Sequence, residues 1–167
     1  MRRKVLGGFV VLSVILLATT HCLARPVHVS DYDEMTAKSD LVVIATSVST
    51  KELREVIDLP GVQHEGGVRI RAVGLETEFL VSVCFKGRLP EVEGKGSSTI
   101  VLHHYRFEDP KEADAGNRAE LLSFKPGDHS QYLMFLKRTG EGRYEPFNGQ
   151  TDPVYSVEKL KKPRKAD

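Results

Sequence analysis

The side chains best suited to chemistry in this sequence are two adjacent histidines, His103 and His104. Imidazole is the commonest ligand for transition metals and the usual proton carrier near neutral pH. Both residues fall in a run, residues 99–107, that predicts a β-strand, and neighbours on a strand point to opposite faces. Because the two rings cannot easily converge on one ion, we expect them to lie in the wall of a sheet, one of them partly buried and hydrogen-bonded.

Two further clusters of titratable residues are interpreted as structural features. Asp128 and His129 follow a Pro-Gly pair, and Asp in such a turn readily bonds its own backbone, which favours a turn role. Asp31, Asp33 and Glu34 could suggest calcium, but they lack the spaced oxygen ligands and the glycine of an EF-hand loop. They are better interpreted as acids at the start of a helix, where the helix dipole favours negative charge.

Glu76 and Glu78 share one face of a predicted strand, about 7 Å apart, and could in principle form an acid/base pair. Such a pair needs surroundings that separate the two pKa values, which an exposed face does not provide. The sequence also contains no G-x-S-x-G, no H-E-x-x-H and no phosphate-binding glycine loop. We therefore predict a protein that is not an enzyme, with no catalytic residues, no cofactor and no metal ligands.

Three aromatic residues, Tyr105, Phe107 and Tyr132, could stack ligand rings on one face of a sheet. Aromatic residues at strand spacing more often belong to the core, and we adopt that interpretation. The residues that bind a partner are therefore left unassigned.

The first 24 residues have the layout of a secretory signal peptide. Three basic residues at positions 2–4 precede an apolar run at 5–18, and small residues lead to Ala24. The apolar run is short for a membrane span, so we predict cleavage near Ala24, export, and membrane contact only before cleavage. Acylation of Cys22, as in a lipoprotein, is the alternative, although His21 before it is a poor match.

Charge and cysteine content describe the chain that remains. The full sequence has 24 basic and 23 acidic side chains, and cleavage would remove three basic and no acidic ones, leaving a net charge of −2. That balance provides no field that attracts nucleic acid. About 140 residues suffice for one domain, which we place at 25–160, with a basic, disordered tail at 161–167. Cys84 would be the only cysteine left, so no internal disulfide could form.

The hydrophobic pattern predicts a mainly β domain. Residues 41–48 are rich in β-branched residues and start out apolar on both faces, which is typical of a central strand, whereas the polar stretch at 51–67 is interpreted as a loop or an irregular arm. The other predicted elements are a short helix at 31–39, strands at 99–107, 131–137 and 143–147, and a strand or single helical turn at 154–160.

The best-patterned strand ends at Lys86. Apolar side chains occupy even positions before Gly74 and odd positions after it, which predicts a bulge or kink near this glycine. The odd-numbered residues that we expect to be buried together are Phe79, Val81, Val83 and Phe85. Cys84 then lies on the opposite face, where we expect a loop or the C-terminal segment to cover it. An open face would instead leave Cys84 able to form an intermolecular disulfide.

Five segments between residues 39 and 149 occur in a recognisable order. They are SDLVVIATSV, VSVCFKG, IVLHHY, KPGDHSQYLMFLKR and GRYEPFNG. This order resembles exported bacterial domains of the TIMP/netrin-like group, which implies a small five-stranded antiparallel OB-like barrel with short flanking helices. Metalloprotease inhibitors of this group begin with a zinc-chelating cysteine, whereas this mature chain would begin Arg25-Pro26. The resemblance therefore implies a binding module, and inhibition by that mechanism is not expected.

Three functional interpretations remain open. The first, which we adopt, is an exported non-catalytic module that binds a protein or glycan partner. The second is a structural component of the cell envelope, whose basic tail contacts anionic polymers. The third is an enzyme whose residues converge only in three dimensions. An exposed apolar patch would favour the first interpretation, and a concave pocket with titratable groups would favour the third.

Overall fold

The computed structural model describes residues 30–63, 67–90, 98–114, 119–153 and 155–161. Its elements are α1 (Tyr32–Lys38), β1 (Leu41–Gln63), β2 (Arg69–Lys86), β3 (Thr99–Phe107), β4 (Gln131–Arg138), β5 (Tyr144–Pro146) and β6 (Val157–Lys159), with short 3-10 turns at Pro110–Asp114 and Gly140–Gly142. The predicted mainly β domain is confirmed. The predicted signal peptide at 1–24, and the predicted tail apart from Lys161, lie outside the described residues.

Five strands form a closed ring in the order β1-β2-β3-β5-β4, which returns to β1. The short strand β6 pairs with β4 on the edge that also carries β5, opposite β1. The predicted five-stranded antiparallel arrangement is therefore only partly correct, because there are six strands and β3 pairs with β5 in parallel. The physical reason is parity. Strand direction cannot alternate all the way round a ring with an odd number of strands, so at least one neighbouring pair must be parallel.

Local sequence signals explain α1. Asp31 is its N-cap, with a carboxylate that accepts a hydrogen bond from the backbone N–H of Glu34 at 2.6 Å, and Glu34 pairs with Lys38 one turn later. This confirms that Asp31, Asp33 and Glu34 are helix-start acids. Met35 is fully buried and anchors the helix to the outer face of the ring, where its partners are Val42, Phe135 and Phe147.

The stretch at 51–67, predicted as a loop or an irregular arm, is strand up to Gln63, so the loop alternative is wrong. Residues 47–63 pair only with β2, and the two strands form a long hairpin, which we call the arm. The turn signal Pro60-Gly61 is accommodated because the ladder is interrupted between Asp58 and Gln63. Buried Leu59 and Val62 hold this end of the arm against the rest of the protein.

The change of phase in β2 is present, but the irregularity lies in its partner. Ile70 and Ala72 are buried before Gly74, and Phe79 is buried after it. Pairing of β2 with β3 runs without a break through Gly74, whereas three residues of β1, 53–55, face this single glycine. The bulge predicted in β2 is thus a bulge in β1, which only the pairing of the two strands could reveal.

The predicted burial of four odd-numbered residues in β2 is wrong in its second half. Phe79 is fully buried and Val81 is half-buried, but Val83 is 41% and Phe85 is 62% exposed. Two register shifts against β1 leave Ser82 and Phe85 without a paired residue. Each extra residue shifts the alternation of side chains between the two faces of the strand. Odd-numbered positions after the shift therefore no longer lie on the buried face.

Cys84 is exposed, so the expectation that a covering segment buries it is also wrong. Its thiol lies 3.4 Å from the backbone carbonyl oxygen of Lys86, at the end of β2. The same register shifts that expose Phe85 leave this end of the strand uncovered within the described residues.

Two hydrophobic cores lie on either side of the point where the arm leaves the ring. The ring core is Leu41, Val43, Ala45, Phe79, Ile100, Leu102, Tyr132, Met134, Leu136 and Tyr144. The arm core is Leu59, Val62, Ile70, Ala72, Tyr105, Phe107 and Ala119. Residues 119–125, which we call the connector, run past both cores between the 3-10 turn and β4.

Candidate functional site

His104 is a buried titratable side chain on β3. It is 2% exposed, and Ile100 and Leu102, at two-residue spacing on the same strand, are buried with it. Its Nε2 lies 2.8 Å from the hydroxyl of Thr77, which lies 2.8 Å from the hydroxyl of Thr50. The prediction that one of the two histidines is buried and hydrogen-bonded is therefore confirmed, and a short polar chain leads from it towards the surface.

Burial lowers the pKa of His104 to about 4, and the nearby His103 adds to the effect. The backbone carbonyls of Leu122 and Tyr105 favour the protonated ring, but they only partly offset the cost of burying a charge. His104 is consequently neutral at ordinary pH. Its buried Nδ1 makes no hydrogen bond to any described residue.

An open cavity of about 500 Å³ extends from His104 to the surface, between the strands and the connector. We call it the His104 groove. Its lining is Thr50, Leu75, His104, Arg106, Phe107, Pro110 and residues 119–124. Apolar side chains dominate this lining, and Arg106 is already engaged by Glu52 at 2.6 Å.

His103 points to the other face of β3, as strand geometry requires, and belongs to a separate cluster. Glu55 accepts a hydrogen bond from the Tyr105 hydroxyl at 2.7 Å and lies 3.1 Å from His103 Nε2. The Tyr105 hydrogen bond and the nearby His103 and Arg143 lower the pKa of the Glu55 carboxyl against the effect of burial. Burial and the same carboxylate raise the pKa of Tyr105. Since Glu55 lies in the β1 bulge, this cluster ties the arm to β3.

Glu76 and Glu78 do not form a carboxylate pair. Glu76 is engaged by Arg143 at 3.0 Å, and Glu78 accepts a hydrogen bond from the Ser49 hydroxyl at 3.3 Å. Both side chains are half-buried, so the predicted solvated face is better described as a set of separate polar contacts. Neither glutamate is placed to transfer protons with the other.

Asp128 has the predicted turn role. Its carboxylate accepts hydrogen bonds from the backbone N–H and the hydroxyl of Ser130, both at 2.8 Å, and it lies 3.3 Å from Lys159. The Ser130 bonds, with Lys159 contributing less, lower the pKa of Asp128 to about 2. His129 takes a positive φ of 55°, which suits a tight turn. In the described part of the chain no cluster of His, Cys, Asp and Glu side chains could hold a metal ion.

The three aromatic residues considered as ligand platforms are buried, which confirms their core role: Tyr105, Phe107 and Tyr132. The important aromatic residue missed in the sequence is Phe124 of the connector. Its ring meets Phe79, Tyr132 and His104 edge-on at centroid distances of 4.9, 5.1 and 5.0 Å. The apolar run Leu121-Leu122-Ser123-Phe124 just before a Pro-Gly turn was the available signal.

Comparison with protein-family models and with curated protein sequences finds no match to this chain. Across the described residues, no helix has the length and the apolar character needed to cross a membrane.

Proposed function

We propose that this protein is an exported, non-catalytic binding module that recognises a protein partner through the His104 groove. The observation that carries this proposal is the groove itself, about 500 Å³ in volume, open at the surface and lined mainly by apolar side chains. Ligand pockets commonly have this size and composition, with a few polar groups that fix orientation. His104 and Thr50 supply such polar groups here.

A protein partner fits this groove better than a glycan. Sugar rings are usually bound by exposed aromatic faces, whereas the candidate platforms Tyr105, Phe107 and Tyr132 are buried. Apolar walls such as Leu75, Leu121 and Phe124 suit an apolar side chain that a partner inserts. Apolar side chains that remain exposed on β2 also support protein recognition, namely Leu80, Val83 and Phe85.

An enzyme is the alternative to a binding module, and the buried histidine in a concave groove is the observation that favours it. Proton transfer at neutral pH requires a group with a pKa near 7. The pKa of His104 is about 4, and its Nε2 is engaged by Thr77. These properties suit an uncharged hydrogen-bonding anchor better than an acid or a base.

The fold and the location form part of the same proposal. The closed ring of five strands supports an OB-like barrel of the TIMP/netrin-like kind. The layout of residues 1–24 supports export with cleavage near Ala24. Mass spectrometry of the exported form should find a chain that begins at Arg25, and a retained N-terminus or an acylated Cys22 would contradict this.

The groove can be tested by filling it. After affinity capture of a partner from the exported fraction, its binding is titrated against Thr50→Trp, which places an indole at the exposed edge of the groove. We expect binding to weaken at least about tenfold, since an indole occupies the space of the inserted side chain. Thr50→Val controls for loss of the Thr50–Thr77 hydrogen bond, and Thr36→Trp on α1 controls for the exposed indole. Equal affinity of all variants would refute the groove as the binding site.

A further inference from the structure

The connector also borders a second groove. Apart from the connector, this groove and the His104 groove are lined by different residues. The volume of the second groove is about 580 Å³. We call it the β6 groove. It is lined by residues 120–125 of the connector and by Asp128, Tyr132, Tyr155, Val157, Glu158 and Lys159. One wall is therefore the short strand β6, and the other is a segment without regular secondary structure.

The β6 wall presents unpaired backbone groups. Phe135 donates its N–H to the carbonyl of Ser156, and Leu160 donates its N–H to the carbonyl of Gln131, so residues 156 and 160 form hydrogen-bonded pairs with β4. In an antiparallel ladder such pairs alternate with non-bonded ones. The N–H and C=O groups of Val157 and Lys159 therefore point away from β4, where no described residue bonds them.

The opposite wall is similar. Among the described residues, no backbone-to-backbone hydrogen bond involves residues 121–124, although Glu120 and Lys125 at the two ends are bonded to Asp152 and Asp128. Apart from the Leu122 carbonyl, which faces His104, the walls thus offer backbone donors and acceptors that are costly to bury unless something pairs with them. Tyr155 and Val157 add apolar surface, and Asp128, Glu158 and Lys159 add charges of both signs.

We propose that the β6 groove binds an extended peptide segment of a partner protein, which adds to β6 as a further strand. The unpaired groups of Val157 and Lys159 supply the main-chain hydrogen bonds, and alternate side chains of the peptide lie against Val157 and the exposed Tyr155. This is recognition by strand addition, in which the backbone provides affinity and shallow pockets provide selectivity. The half-buried Val157 favours an apolar peptide residue at alternate positions, and rim charges of both signs disfavour a strongly charged peptide. The site shares the connector with the His104 groove, but its β6 wall does not line that groove, and the proposal does not rest on binding there.

The probe is a library of capped octapeptides, screened against the whole protein, with affinities of selected peptides measured by calorimetry. Lys159→Pro removes the outward N–H of β6 and leaves the bonds of residues 158 and 160 to β4, and proline is tolerated on edge strands. We expect Lys159→Pro to weaken binding about tenfold, because one backbone hydrogen bond is lost. Lys159→Ala keeps this N–H and removes the side chain with its contact to Asp128, so it should weaken binding clearly less than Lys159→Pro does, and equal losses would contradict strand addition.

A second measurement does not depend on the folding of any variant. Two versions of a selected peptide are compared, one N-methylated at odd positions and one at even positions. One version should lose binding and the other should keep it, because only every second N–H of the peptide faces β6. Thr50→Trp should leave peptide binding unchanged, which separates this site from the His104 groove. The proposal is overturned if no peptide is selected, if binding is insensitive to N-methylation, or if the Val157 and Lys159 amides of the free protein already resist hydrogen exchange.

Discussion

His104 shows how a single polar side chain is made compatible with an apolar interior. The ring is buried beside Phe124, and a hydroxyl of Thr77 satisfies one nitrogen. Burial holds the neutral form, because an isolated imidazolium in such surroundings would cost far more than it gains. The result is a side chain that can orient a ligand without carrying charge.

The free energy of unfolding should depend on His104 as the pH falls. Between pH 6.5 and about 4 the unfolded chain takes up a proton at this ring and the folded protein does not, so stability declines through this window. The loss should reach about 3 kcal/mol at most, and above pH 6.5 the contribution vanishes. Denaturant titrations at several pH values measure the free energy of unfolding. This free energy should fall less with decreasing pH in His104→Gln than in the wild type. Parallel profiles would show that the ring is not excluded from protonation.

Phe79 and Phe85 both occupy odd-numbered positions of β2, but Phe79 is buried and Phe85 is exposed. Phe79→Ala should reduce the free energy of unfolding by about 3–5 kcal/mol, because it opens a cavity in the ring core. Phe85→Ala should change it by less than about 0.5 kcal/mol, because this ring is 62% exposed. Chemical denaturation of both variants makes the comparison, and similar losses would mean that Phe85 is buried after all.

At the scale of elements, irregular pairing between β1 and β2 shapes the molecule. Five register shifts separate the paired stretches of these strands, and each one adds local twist. One shift sets Glu55 against His103 and Tyr105, and two others expose the end of β2. The bends of the hairpin therefore decide which polar residues meet and which apolar ones stay on the surface.

Gly87, which ends β2, should tolerate no side chain. Its φ is +93°, and a Cβ there would overlap the carbonyl oxygen of Asp40 and meet Leu41 at 3.0 Å. Gly127 has a similar φ of +86°, but an added Cβ there would have open space around it. A substitution at Gly127 therefore measures the backbone strain alone, without steric overlap. We expect Gly127→Ala to cost about 1–2 kcal/mol and Gly87→Ala clearly more. Thermal unfolding measures both, and equal costs would rule out the overlap.

At the scale of the whole molecule, the ring and the arm are held differently. Ring strands are paired on both sides, whereas the arm part of β1, beyond Thr46, is paired with β2 alone and relies on the arm core. Elements with fewer contacts open more readily than the global fold. The arm is thus the part of the described structure that should open first.

Hydrogen exchange can test this order with two buried residues. Ile70→Ala in the arm core should speed exchange of amides in the arm and leave β4 protected, because the ring retains its own core. Leu102→Ala in the ring core should speed exchange everywhere, because it weakens the unit on which the arm is built. Uniform acceleration by Ile70→Ala would instead show one cooperative unit.

The features that depend on neighbouring residues could be predicted from the amino-acid sequence. The bounds of β3 match the predicted 99–107, the acids at Asp31 and Glu34 start α1, and Asp128 makes its turn. Alternation, capping and turn formation are local, and their signals lie within a few residues. The same alternation on β3 predicted that one of the two histidines is buried, and the structure identifies it as His104.

The features that depend on pairing between distant segments became visible only in the folded protein. The extension of β1 through residues 51–63, the parallel pairing of β3 with β5 and the exposure of Cys84 and Phe85 all follow from register, which is a relation between two strands. Both grooves arise because the connector crosses the sheet at a particular place. A one-residue shift exchanges the two faces of a strand, so a local pattern cannot specify these features until its partner strand is known.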